Sequence, residues 1–230
     1  MNDEQNVDFS LLPGKCSDLK PQKKRTNRTS IFVGGQFLCG AETKAVEQCE
    51  IAKDSWVDET LIRQLLALDE RFRFQEQCYR LLARRAYCRR ELHQRGQQKG
   101  FSEDAIVEIL DRFEDNGWID DQAFALNYAE VYFNRKKWGP EKIRAGLVQK
   151  GISKEDISYA LEQLDDTDAQ LNSMMDVVGK HRNRLLRNND TQKQKHKLVD
   201  LLRRKGYHPE VIFRNLDHLI QHLTDETTDT

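Results

Sequence analysis

The chain has 230 residues, and although 33% of them are charged, 37 Lys and Arg against 38 Asp and Glu leave a formal net charge of −1. A bulk-charge argument for nucleic-acid binding therefore fails, and any electrostatic footprint must come from segregation of charge along the chain. The polar N-terminus lacks the apolar stretch of a secretory leader and no run of about 18 apolar residues follows, so a cytosolic protein without a membrane span is expected.

Residues 1–28 combine Asn, Asp, Gln, Ser and Pro with the basic cluster Lys20, Lys23, Lys24 and Arg25, without periodicity. A disordered arm is expected there. Two short β-prone runs follow, Thr29–Val33 and Gln36–Cys39, on either side of Gly34-Gly35. That pattern predicts a hairpin whose turn needs positive φ at both central positions. An isolated hairpin is marginal in water, so it should pack on a short helix around Ala45 and a longer one carrying Leu61, Leu65 and Leu66. Residues 29–72 are read as this small hairpin-plus-helix segment.

From about Arg73 the pattern is helical throughout, punctuated by Lys99-Gly100-Phe101, Lys150-Gly151-Ile152 and Lys205-Gly206-Tyr207, at spacings of 51 and 55 residues. Each mark reads as a helix stop, with Gly in the left-handed conformation and the next apolar residue folded back onto the last turn. The back-folded partner is expected four residues before the Gly, giving the pairs Leu147–Ile152 and Leu202–Tyr207. The first unit carries Gly96 at that position, so it should be the loosest, and Gly96→Leu should stabilise it.

Counted from the marks, one apolar stripe recurs as Ile106, Ile109, Leu110, Phe113; then Ile157, Ala160, Leu161, Leu164; then Ile212, Asn215, Leu216, Leu219. Upstream helices carry a second stripe, read as Phe74, Cys78, Leu81, Leu82; then Phe124, Tyr128, Val131, Tyr132; then Leu171, Met175, Val178. The predicted fold is mainly α: a tandem array of three three-helix repeats (73–119, 120–166 and 167–222), elongated and curved, with the β-hairpin segment before it and a disordered tail at 223–230.

Charge is segregated within the repeats, with basic second helices and acidic third helices. The macrodipole accounts for acids at helix starts and bases at helix ends, but not for bases throughout the second helices. These cations are read as a partner-binding strip: Arg84, Arg85, Arg89, Arg90 and Arg95; then Arg135, Lys136, Lys137, Lys142, Arg144 and Lys150; then Lys197, Arg203, Arg204 and Lys205. Lys180 and Lys99 belong to the same basic stretches.

The segment Gly117-Trp-Ile-Asp-Asp-Gln-Ala-Phe-Ala125, followed by Gly139-Pro-Glu-Lys-Ile-Arg-Ala-Gly-Leu-Val-Gln-Lys-Gly-Ile152, closely resembles the RecX family over roughly residues 73–220. Most of the motif is scaffold: Asp120 as a helix cap, Gly139-Pro140 as a helix opening, and Ile143 and Leu147 as a buried face. The resemblance implies a regulator of the RecA recombinase, in DNA recombination, repair and the SOS response, that binds within the groove of the RecA–DNA filament and limits its assembly, ATP hydrolysis and coprotease activity. It further implies a monomer without cofactor. Cys88 stands where the family usually has a Ser or Thr cap, which should weaken the start of that helix.

No catalytic constellation is apparent. His218 and His222, spaced i, i+4, lack a third ligand; Asp120-Asp121 and Asp165-Asp166 suit helix caps better than acid–base chemistry. Trp56, Trp118 and Trp138 are expected to pack in repeat junctions. Five cysteines, odd in number and without a CxxC pair, read as free thiols rather than a metal or disulfide framework. Beside filament regulation, the repeats fit a sequence-independent DNA-binding module or an adaptor for another partner.

Overall fold

The computed structural model describes residues 7–23, 25–164, 166–187 and 190–224. The first six residues of the expected arm, Lys24, Asp165 of the second carboxylate pair, and residues 225–230 of the expected tail lie outside that set. By its contacts the chain divides into two compact units, one of residues 1–87 with 92–119 and one of residues 88–91 with 120–230.

The first unit opens with a four-stranded antiparallel sheet: β1 (Gly14–Pro21), β2 (Arg28–Val33), β3 (Gln36–Glu42) and β4 (Trp56–Val57), in the order β3-β2-β1-β4. Gly34 and Gly35 join β2 to β3 with φ of 57° and 81°, the turn the hairpin reading requires. The disordered arm is corrected, because residues 14–21 form a strand that pairs with β2 from Cys16↔Val33 to Pro21↔Thr29. Only Cys16 on that strand is fully buried; Leu19 is half-buried against the core, and the other positions are Gly, Lys, Ser, Asp and Pro. Such a strand carries almost no hydrophobic alternation to read.

Helices α1 (Thr43–Gln48) and α2 (Glu59–Leu82) cover the sheet, closing a core that includes Ile31, Leu38, Ala41, Val57, Ile62 and Leu65. The expected boundary at residue 73 falls inside α2, a single helix of 24 residues. Its first half packs on the sheet, while Phe74 and Cys78 in its second half join Leu92, Ile106, Ile109 and Leu110. Those partners come from α3 (Arg89–Gln98) and α4 (Glu103–Asp115), and Ser102 caps α4 by accepting from the Ala105 amide.

Gly96 does not loosen this unit. It is buried, and a Cβ there would lie 2.8 Å from both Ile106 and Phe74. Phe101 folds back onto the Phe74 ring, with centroids 5.2 Å apart, and its amide still closes the stop by donating to the Gly96 carbonyl at 3.2 Å. The missing side chain is thus the space that Phe74 fills, and the expectation that leucine would stabilise the site is overturned.

The second unit contains α5 (Asp121–Lys136), α6 (Pro140–Gln149), α7 (Lys154–Glu162), α8 (Thr167–Lys180), α9 (Arg182–Leu186), α10 (Thr191–Lys205), α11 (Pro209–Arg214) and α12 (Leu216–Thr224). The predicted stops form: the Ile152 amide donates to the Leu147 carbonyl at 3.2 Å and the Tyr207 amide to the Leu202 carbonyl at 3.1 Å. Gly100, Gly151 and Gly206 all have positive φ.

Two register assignments are corrected. α5 buries Ala125, Ala129 and Phe133, leaving Phe124, Tyr128 and Tyr132 half-buried beside them. Small alanines let α7 approach closely, and the Tyr128 hydroxyl packs over Gly146, where a Cβ would stand 2.3 Å from it. α8 likewise buries Met174, Val177 and Val178, with Leu171 and Met175 at the edge.

The third repeat has five helices rather than three. Asn215, the polar exception in its stripe, ends α11 by donating from its side chain to the Val211 carbonyl at 2.9 Å, and α12 starts directly after it. α12 runs to Thr224 with Leu223 buried, so residues 223 and 224 belong to the core-forming helix and not to a tail. No described helix is long and apolar enough to cross a membrane.

Candidate functional site

The cations nominated from sequence fall into two groups, one in each unit. In the first unit Arg84 and Arg95 line an open cleft of about 520 Å³ between the start of β2 and helices α2 and α3. Its walls carry seven cationic side chains, adding Arg25, Arg28, Arg73, Arg80 and Lys99, against two acids, Glu42 and Glu76. The acids do not neutralise it evenly. Arg80 pairs with Glu76, Arg28 with Glu42 and with the fully buried Asp69, and Arg73 with Asp69, whereas Arg84, Arg95 and Lys99 have no ion-pair partner among the described residues. Arg85 lies flat on Tyr87, 3.5 Å from the ring centroid, and donates to the Ala86 carbonyl.

Sequence reading placed Arg25 and Arg28 in a disordered arm, and the structure puts both on the cleft wall. The signal available was weak: Arg28 opens the β-prone run, where a charged residue with a buried partner is invisible without knowing that Asp69 faces it.

In the second unit the nominated residues have unequal roles. Lys150 is structural: its ammonium pairs with Glu91 at 2.7 Å and lies over the rings of Phe124 and Tyr128. Lys137 has left-handed backbone at the end of α5 and pairs with Asp176 at 2.8 Å. The Arg89 amide is bonded by the Asp121 carboxylate at 2.9 Å, and Arg90 packs over Gly151. Asp121 thereby supplies the cap that Cys88 lacks, and burial pushes its carboxyl above the usual aspartate range. The Cys88 thiol is itself buried and donates to the Lys150 carbonyl at 3.4 Å.

Lys136, Lys142 and Lys205 converge where α6 begins and α10 ends. The Gly139 amide donates to the Lys205 carbonyl at 2.8 Å and the Glu141 amide to the Gly206 carbonyl at 3.0 Å. The backbones cross so closely that a Cβ on Gly139 would stand 2.4 Å from Gly206. The Lys205 ammonium donates to the Lys136 carbonyl at 3.2 Å, and Lys142 lies 4.6 Å above the Trp138 ring. Burial, then the charges of Lys142, Lys180 and Lys136, hold the Lys205 ammonium below the usual lysine range. Lys197 and Arg204 line a smaller cavity of about 200 Å³ with His181, Arg184 and Asp200. Arg135 and Arg203 are exposed, and Arg144 is exposed 3.9 Å from Glu141.

The three tryptophans do not share one environment. Trp138 stacks on Tyr132 with centroids 4.5 Å apart, but Trp56 is 66% exposed and Trp118 55% exposed, so the expectation of junction packing is corrected for those two. Asp120 and Asp166 act as helix caps, accepting from Ala123 and from Asp168 and Ala169. His218 and His222 are exposed on α12.

Helical domains following a small sheet, with cations on their surfaces, define a mainly α helical-repeat protein. Its helical domains match those of the RecX family. Residues 76–113 match the family profile described as "RecX, first three-helix domain" and residues 120–161 the one described as "RecX, second three-helix domain". The chain is similar to "Regulatory protein RecX" of Clostridium perfringens (strain SM101 / Type A), 25% identical over 84% of this chain and 91% of the relative. The protein of the same description from Bacillus subtilis (strain 168) is 25% identical over 92% of this chain and 79% of the relative. In fold it matches a crystal structure of regulatory protein RecX at a TM-score of 0.74, with 24% identity over 89% of this chain and 99% of that one. RecX from Lactobacillus salivarius matches at 0.60, covering 68% of this chain and 97% of that one.

Proposed function

We propose that this chain is a non-enzymatic regulator of the RecA recombinase that binds the RecA–DNA filament and restrains its assembly, ATP hydrolysis and coprotease activity, in DNA recombination and repair. The observation that carries the reading is the unneutralised trio Arg84, Arg95 and Lys99 in the cleft of the first unit. In a chain of net charge −1, cations kept without internal partners are available to an acidic filament surface or to bound DNA. The match to the RecX family supplies the named partner.

The test adds the full chain to RecA on single-stranded DNA and follows ATP hydrolysis and filament length. Falling hydrolysis and shortening filaments are expected. Unchanged hydrolysis and length at saturating protein would refute the proposal for this chain.

A further inference from the structure

The two junctions within the second unit are built alike and charged oppositely. Cys88 and Gly139 each stand twelve residues before a Lys-Gly mark, and Glu91 and Lys142 each stand nine before it. At the first junction the residue at the earlier position bonds the Lys150 carbonyl, and at the second it bonds the Lys205 carbonyl. The bonded positions repeat, through the Cys88 thiol in the first junction and the Gly139 amide in the second, but side-chain charge does not. Glu91 reaches Lys150 at 2.7 Å and neutralises the first junction, whereas Lys142 occupies the corresponding position opposite Lys205.

Lys142 sits directly over Gly206, and its ammonium donates to the Arg204 carbonyl at 3.5 Å, while the Lys205 ammonium donates to the Lys136 carbonyl. Lys180 adds a fourth charge near Lys205. None of Lys136, Lys142, Lys180 and Lys205 has a carboxylate partner among the described residues. Gathering like charges is unfavourable by itself, and an anion placed among them removes that cost. Beside the lysines runs a column of half-buried rings, Tyr128, Tyr132 and Trp138, with successive centroids 4.1 and 4.5 Å apart. Cations beside aromatic rings suit a strand that offers both phosphates and base faces.

We propose that the junction of α6 with the end of α10 is a binding site for a backbone phosphodiester of single-stranded nucleic acid, held by Lys136, Lys142, Lys180 and Lys205. The first junction is the corresponding crossing closed by its own carboxylate, with Glu91 standing where Lys142 stands in the second and supplying the negative charge that a phosphate would bring there. This deepens the filament reading by giving one stretch of the basic surface a ligand, and its test contains no RecA, so the two readings fail separately.

The experiment measures binding of a fluorescent oligodeoxythymidylate to the full chain across a salt series. Lys142→Glu recreates the closed junction; it is expected to weaken binding about tenfold near roughly 50 mM salt and to reduce the log–log salt slope by about one or more. Glu91→Lys opens the first junction and is expected to strengthen binding and steepen the slope. Lys136→Gln with Lys180→Gln, both exposed positions, should weaken binding without touching the backbone crossing, so the test survives if Lys142→Glu fails to fold. Unchanged affinity and slope in a folded Lys142→Glu protein, or in the double Gln variant, would overturn the site. Displacement by poly-glutamate as effective as by the oligonucleotide would overturn its assignment to a phosphodiester.

Discussion

Arg28 and Asp69 face each other at 3.0 Å with side chains 8% and 0% exposed, and the same carboxylate accepts the Glu42 amide at 2.7 Å and the Arg73 guanidinium at 2.8 Å. One buried acid therefore ties β2, the end of β3 and α2 together, and it fixes the wall of the cationic cleft. Removing it leaves the buried guanidinium with only Glu42 and the Gly40 carbonyl and orphans the Glu42 amide, so Asp69→Ala is expected to cost about 3 kcal/mol. Denaturant unfolding checks this, and a midpoint within error of the wild type would show that the clasp contributes nothing.

Gly96 tests packing against propensity. Alanine in place of a helical glycine normally gains up to about 1 kcal/mol. Here the added Cβ meets Ile106 and Phe74 at 2.8 Å, so Gly96→Ala and more strongly Gly96→Leu should lower the melting temperature, by about 1–3 kcal/mol of overpacking. Thermal unfolding followed by circular dichroism gives the sign directly.

Lys150 and Lys142 look interchangeable as helix-borne cations but should behave differently. Lys150→Glu is expected to lower stability by breaking the Glu91 pair, and the swap of Glu91→Lys with Lys150→Glu should restore much of it. A double-mutant cycle showing no coupling would contradict the pairing. In the cleft, Arg84→Glu with Arg95→Glu should abolish the proposed effect on RecA while leaving helicity and melting temperature unchanged, because neither side chain has an ion-pair partner among the described residues.

The buried thiols set an alkaline limit. Burial pushes Cys39 and Cys78 up to about 12 from the ordinary value of 9.0. In the unfolded chain these thiols ionise near pH 9 while in the fold they stay neutral. Their contribution is thus full below that pH and is lost as pH rises from about 9 towards about 12. Denaturant midpoints should fall across that window and flatten when both are replaced by alanine, measured relative to each variant's own midpoint at pH 8. At neutral pH a thiol reagent should modify the half-buried Cys49 ahead of the four buried cysteines.

Features written locally were legible in the sequence. Gly100, Gly151 and Gly206 end helices through a conformation that glycine accepts, and the residue after each donates to a carbonyl five residues back, so the marks and the stripes that follow them could be read directly. Strand β1 could not, because among its Gly, Lys, Ser, Asp, Leu and Pro positions only Cys16 is fully buried, which leaves no period to read. The register of α5 misled because Phe124, Tyr128 and Tyr132 look more like core than Ala125 and Ala129 do, yet close approach of α7 selects the small residues. Long-range partners left no trace either. Asp121 capping the amide of Arg89, Asp69 holding Arg28, and Gly139 meeting Gly206 each join residues far apart in sequence, and the cationic surfaces take their shape from those joints.

The most direct test of filament binding compares two concentrations in one buffer: the protein concentration that halves RecA ATP hydrolysis on single-stranded DNA, and the chain's own Kd for the same DNA. Binding to the filament predicts that hydrolysis is halved well below that Kd. Inhibition that begins only as the DNA becomes coated would contradict it.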